Sequence, residues 1–264
     1  MNRQLIAVAA CLALFLTSPA AAQQPLASPP TSPQFLPRYD FHLSAAALAN
    51  DDQRFSWDTH FGGDIDIVDY VYGRAATVMD YEAVLGNELR PFDPTQGNYI
   101  LELSTSYRIK RTEVAGIFHH VSRHLSDRPK VIPIAWNILG VRVLREATVK
   151  KATIDMVADF GGTTQKVNVD YRWSSNVDVI VRRLLVPRVA VFARGSGHLM
   201  SVDAPPALTA RHAQTGVVVE GGFRFIGEAG VGELFLGYEH RFDAYPLGFV
   251  PERWFMVGFR VLRR

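Results

Sequence analysis

The 264-residue chain sets 28 Lys and Arg against 26 Asp and Glu, a balance that removes the general electrostatic ground for a nucleic-acid partner. Its only cysteine is Cys11, so thiol chemistry and disulfides are excluded beyond the first residues. Past the N-terminus no apolar run approaches the roughly 20 residues of a membrane helix, although the chain is 48% hydrophobic and also 20% charged.

In chain order, Arg3, the apolar stretch Leu5 to Leu16 and the small residues Ala20-Ala21-Ala22 predict a secretory signal over residues 1–22, cleaved before Gln23. Cys11 would leave with it. Residues 23–37 are rich in proline and serine and read as a flexible periplasmic leader.

Residues 38–264 then alternate apolar and polar positions again and again. Tyr39, Phe41, Leu43, Ala45 and Ala47 alternate with Asp40, His42, Ser44 and Ala46; Tyr99, Leu101, Leu103, Tyr107 and Ile109 oppose Glu102, Ser104, Ser106 and Arg108. The predicted strands cover 38–48, 54–68, 72–85, 98–109, 112–123, 134–145, 147–160, 164–173, 188–199, 214–226, 231–242 and 253–262. Alternation alone also fits a soluble sandwich or lipocalin. Strands of roughly ten residues, a polar face carrying charges of both signs, and the export signal favour the membrane. The expected fold is therefore all-β: a transmembrane antiparallel up-and-down barrel of about twelve strands in a Gram-negative outer membrane, apolar outside and charged within.

Lys110-Arg111, Glu146 and 227–230 read as tight periplasmic turns, and 86–97, 124–133, 200–213 and 243–252 as outer loops. The segment 174–187 is a long connector on the supposed periplasmic side, where Arg182-Arg183 would be solvated. Asp58, Asp64, Asp66, Asp80 and Glu82 are expected to pair in the lumen with Arg74, Arg108, Arg142 and Arg172. Gly161-Gly162 is a turn without a following helix, hence no phosphate loop, and His198 and His212 flank an outer loop with no assigned role.

Chemistry concentrates in Phe118-His119-His120-Val121-Ser122-Arg123-His124, which holds three of the eight histidines. Residues two apart on a strand share a face, so His120, Ser122 and His124 line up about 7 Å apart at their Cα atoms. A two-residue turn at Lys110-Arg111 would set Arg108 opposite Glu113 and Glu102 opposite His119 in the lumen. Leu103 would then meet Phe118, Leu101 His120 and Tyr99 Ser122 on the lipid side. At about 3.3 Å per residue and a tilt of about 40°, the His–Ser pair would stand roughly 23–28 Å above the turn, near the top of an apolar band about 25 Å tall. A second two-residue turn at Glu146-Ala147 pairs Leu139 with Ile154 and sends Asn137 outward beside the histidine strand. Ser122 would be the nucleophile, His120 its base and Asn137 the group orienting the imidazole. A three-residue first turn would flip the strand. His120, His124 and His60 would then face the lumen, where they could bind a metal or complete a polar network.

His120-x-Ser122 followed by Trp136-Asn137 resembles outer-membrane phospholipase A, a twelve-stranded barrel with a lipid-facing Ser-His-Asn triad. It is also similar to the His-x-Ser of outer-membrane lipid A deacylases, and residues 120–127 to an uncharacterised outer-membrane family with a His-x-Ser-Ser-His-Leu-Gly-Asp pattern. The local match spans about twenty residues. Phospholipase A continues Ser-Asn-Gly where this chain has Ser122-Arg123-His124, and Leu125 replaces an arginine that the family places near calcium. The resemblance implies a lipid esterase acting on phospholipid or lipopolysaccharide, inserted by the barrel-assembly machinery, with Ca2+ and a homodimer as family features. The competing readings are a non-catalytic channel or structural barrel, and a surface receptor working through its outer loops.

Overall fold

The computed structural model describes residues 29–129, 132–203, 213–248 and 250–263. The expected signal, the first six residues of the leader and His212 lie outside them. Twelve strands run through the described chain: β1 (Gln34–Ala49), β2 (Trp57–Asp69), β3 (Arg74–Gly86), β4 (Asp93–Ile109), β5 (Thr112–Leu125), β6 (Ile134–Val149), β7 (Ala152–Val167), β8 (Tyr171–Val186), β9 (Val189–Val202), β10 (Ala213–Ile226), β11 (Gly230–Arg241) and β12 (Glu252–Arg263). Each pairs antiparallel with its neighbours in sequence, and β1 closes the ring against β12. Closure satisfies every strand edge, as hydrocarbon requires.

The two faces invert the order of a water-soluble barrel. Leu236 is 69% and Phe255 70% exposed, whereas Asp66 and Arg74 are completely buried. Inside, several guanidiniums are each shared by two or more carboxylates, most of them from other strands. Arg74 donates to Asp66 and Glu113, Arg142 to Glu102 and Asp159, and Arg241 to Asp58, Glu82 and Glu239. Arg260 bridges Glu220 and Glu233. Charges that would be costly alone in a dry interior are thereby paired. The remaining lumen holds two cavities of about 140 and 160 Å³.

The connectors 70–73, 110–111, 150–151, 187–188 and 227–229 lie at one end of the barrel, and every one of them is short. At the other end the described part of the β11–β12 loop folds over the mouth. Arg123 donates to the carbonyls of Asp243 (2.7 Å) and Ala244 (3.0 Å), and Tyr171 to the Asp243 carboxylate (3.0 Å). Phe55, Val84, Ala244 and Trp254 pack beneath as a buried apolar plug. Arg90–Asp127 (2.6 Å) and Arg128–Asp93 (2.7 Å) clasp the β3–β4 and β5–β6 loops. In the β1–β2 loop the hydrogen bonds from Arg54 hold the Asp52 carboxyl below the usual carboxylate range.

Several expectations change. β1 begins at Gln34, inside the segment read as leader. The second tight turn is Lys150-Lys151, with Val149 paired to Ala152, rather than Glu146-Ala147. Residues 164–173 are not one strand but the end of β7, a three-residue turn and the start of β8; Asn168 takes a left-handed φ of 54° there. The supposed connector 174–187 is almost wholly β8, where Arg182 is ion-paired with Asp155 inside the barrel. Arg172 sits at the outer rim against Asp203 (3.0 Å) rather than in the lumen. Tight turns with polar residues continued the alternation, which is why the pattern hid them.

Candidate active site on the outer wall

The β4–β5 hairpin sets the geometry. Its two-residue turn at Lys110-Arg111 pairs Ile109 with Thr112 and carries the register upward: Arg108 to Glu113, Glu102 to His119, Leu101 to His120 and Tyr99 to Ser122. His119 faces inward to Glu102 (3.3 Å) and Arg123 inward to the plugging loop. His120, Ser122 and His124 therefore share the opposite face with Leu101 and Tyr99, which are 37% and 53% exposed. The alternative in which these histidines line the lumen is excluded, since the two-residue turn holds.

Asn137 on β6 stands directly across from His120, and its Oδ1 lies 2.6 Å from His120 Nδ1. An amide oxygen can only accept, so Nδ1 carries the hydrogen and Nε2 is left with its lone pair. Asn137 Nδ2 in turn donates to Gln165 Oε1 at 2.8 Å. A bulge supplies that partner. Leu139 pairs with Gly162, which would bring Thr164 opposite Asn137, but the register shifts and sets Gln165 there instead. One extra residue in β7 thus turns Gln165 onto the outer face.

Ser122 Oγ is hydrogen-bonded to His124 Nε2 at 2.8 Å, not to His120. The His124 ring meets Tyr99 edge-on at 5.3 Å, and Tyr99 rests on Tyr81 at 5.0 Å. Of the expected trio, His120 and Asn137 are joined directly, while Ser122 lies on their face with a different imidazole as its partner. The i+2 spacing already aligned His124 with Ser122, but the expected triad left it without a part. Gln165 carried no signal, because its position depends on the bulge.

No family model matches the chain, and no curated protein matches it. Solved structures do. Outer membrane phospholipase A from Escherichia coli aligns over 86% of this chain and 92% of its own, with a TM-score of 0.53 and 10% identity. The Salmonella typhi outer membrane phospholipase, a dimer with bound calcium, aligns over 86% and 90% with a TM-score of 0.52 and 10% identity. An active-site mutant of the Escherichia coli enzyme, asparagine replaced by alanine, aligns over 92% and 93% at 0.52 and 10%. The fold is that of outer-membrane phospholipase A. At this identity the likeness speaks for architecture alone.

Calcium prefers six to eight oxygen ligands. The outer-face neighbours of Ser122 in register, Tyr99, Ala135 and the adjacent His120, Asn137 and Gln165, carry no carboxylate. The amide oxygens of Asn137 and Gln165 are already engaged by His120 and Asn137. This donor set does not fit calcium. In the lumen, Asp58, His60 and Glu82 approach closely enough to suggest a metal. Arg241 already supplies a positive charge to both carboxylates, and Asp80 accepts from His60 and His42 at 2.8 Å each. That cluster reads as part of the lumenal ion network.

Proposed function

We propose that this chain is an outer-membrane serine hydrolase of lipid esters. Ser122 attacks the ester carbonyl, His120 takes its proton through Nε2 and returns it to the leaving oxygen, and Asn137 keeps the imidazole in the tautomer that can do so. This requires the hydroxyl to turn about its Cα–Cβ bond, away from His124. The observation that carries the reading is the 2.6 Å contact between His120 and Asn137 on the wall that faces lipid, two residues from Ser122. Acyl esters of the outer leaflet lie near the roughly 25 Å height of this band. The likeness to a phospholipase whose active-site mutant is an asparagine replacement supports it.

The substrates are phospholipid or lipopolysaccharide, reached after export by the 1–22 signal and insertion by the barrel-assembly machinery. A homodimer like that of the Salmonella protein would shelter the site from water. The plugged mouth and filled lumen speak against a channel. Purified barrel offered each lipid in turn should release fatty acid from at least one, and Ser122→Ala should abolish that release while the barrel still folds. Equal release by the variant would remove the reading.

A further inference from the structure

Ser122 is flanked on its own strand by two imidazoles, and the one that touches it is not the one held by Asn137. We propose that His124 is a second catalytic imidazole, able to take the proton of Ser122, so that the nucleophile is served from both sides along β5; this rests on the hydrolase reading above.

Three observations carry it. Nε2 of His124 lies 2.8 Å from Ser122 Oγ, within the reach a general base needs before any rearrangement. The ring is held rather than free: its edge contact with Tyr99 is at 87°, and Tyr99 is itself braced by Tyr81. Its cross-strand position is vacant of side chain, because Gly97 pairs with His124. A Cβ at Gly97 would come within 2.6 Å of the Tyr81 hydroxyl oxygen, so glycine leaves this spot to the phenol that braces Tyr99. An ordinary rim histidine needs none of that shaping.

The proton bookkeeping closes within the site. As Oγ bonds to the carbonyl carbon, its proton passes to Nε2 of His124 and the carbonyl π pair moves to oxygen. Collapse breaks the bond to the leaving alcohol, whose oxygen recovers the proton. Water then repeats the steps in reverse and restores the serine. His120 completes the same cycle when the hydroxyl turns toward it, so the two routes are parallel.

The test is covalent labelling of Ser122 by an alkyl fluorophosphonate, read by mass spectrometry on barrels whose folding is verified by heat-dependent gel mobility. In that reaction Oγ bonds to phosphorus, fluoride leaves and the proton goes to the base, so no lipid substrate need be known. His124→Ala and His120→Ala should each remove a share of the labelling rate, about 2-fold apiece where the two routes carry equal flux, and the double variant should fall to background. His124→Gln can still hydrogen-bond the hydroxyl but cannot carry a proton; it should label as slowly as His124→Ala. Recovery by glutamine would assign His124 to mere positioning and overturn the proposal. Labelling indifferent to His124 but lost in His120→Ala would overturn it and leave the hydrolase reading standing. No labelling of Ser122 in the wild-type barrel would overturn both.

Discussion

Asn137 faces His120 across the β5–β6 pair, with its amide oxygen 2.6 Å from Nδ1. A neutral amide cannot stabilise an imidazolium as a carboxylate does, so its contribution is orientation and choice of tautomer. With the second route removed by His124→Ala, Asn137→Ala should therefore lower kcat for ester hydrolysis by about 10–100-fold with KM little changed, a part of what a general base supplies. A change confined to KM would show that the amide contacts substrate instead.

Arg142 holds Glu102 on β4 and Asp159 on β7 together inside the barrel. Arg142→Met would strip two buried carboxylates of their shared guanidinium, at a cost of about 3–5 kcal/mol. The midpoint of urea unfolding in lipid vesicles should fall accordingly, and adding Glu102→Gln with Asp159→Asn should recover most of it. An unchanged midpoint would mean that water reaches the lumen freely.

Depth on the outer wall can be read by substitution. Val141 pairs with Gly116, five residues above the turn, and is 52% exposed, which places it near the middle of the apolar band. Val141→Arg should cost about 2–4 kcal/mol, whereas Tyr99→Arg, level with Ser122, should cost about 1 kcal/mol or less. Equal costs would contradict the placement of the site at the outer interface.

The β11–β12 loop, gripped by Arg123 through the carbonyls of Asp243 and Ala244, closes the mouth. In planar bilayers the intact barrel should show no steady conductance of porin size, and Arg123→Ala should raise the frequency of brief openings. A large steady conductance of the unaltered barrel would contradict a plugged lumen.

Much of this architecture was legible in the sequence because a period of two, once registered by one tight turn, assigns every side chain to a face. Lys110-Arg111 did that for β4 and β5, and all of the cross-strand partners named around His120 hold. Asn137 was placed outward from a turn at Glu146-Ala147 that does not exist. The true partner of Leu139 is Gly162 rather than Ile154, a shift of eight residues, and an even shift preserves the face. The stretch 164–173 failed because Asn168 turns the chain without breaking the alternation. What lay beyond the pattern was three-dimensional: the bulge that recruits Gln165, the imidazole that Ser122 actually contacts, and the loop that returns to Arg123.

The account stands most directly on where an acyl group resides during turnover. Barrel incubated with a lipid ester, quenched in acid and analysed by tandem mass spectrometry should carry the acyl mass on the peptide containing Ser122, and His120→Ala should lower its yield. Ester cleavage that proceeds with Ser122 unmodified, and undiminished in Ser122→Ala, would contradict it.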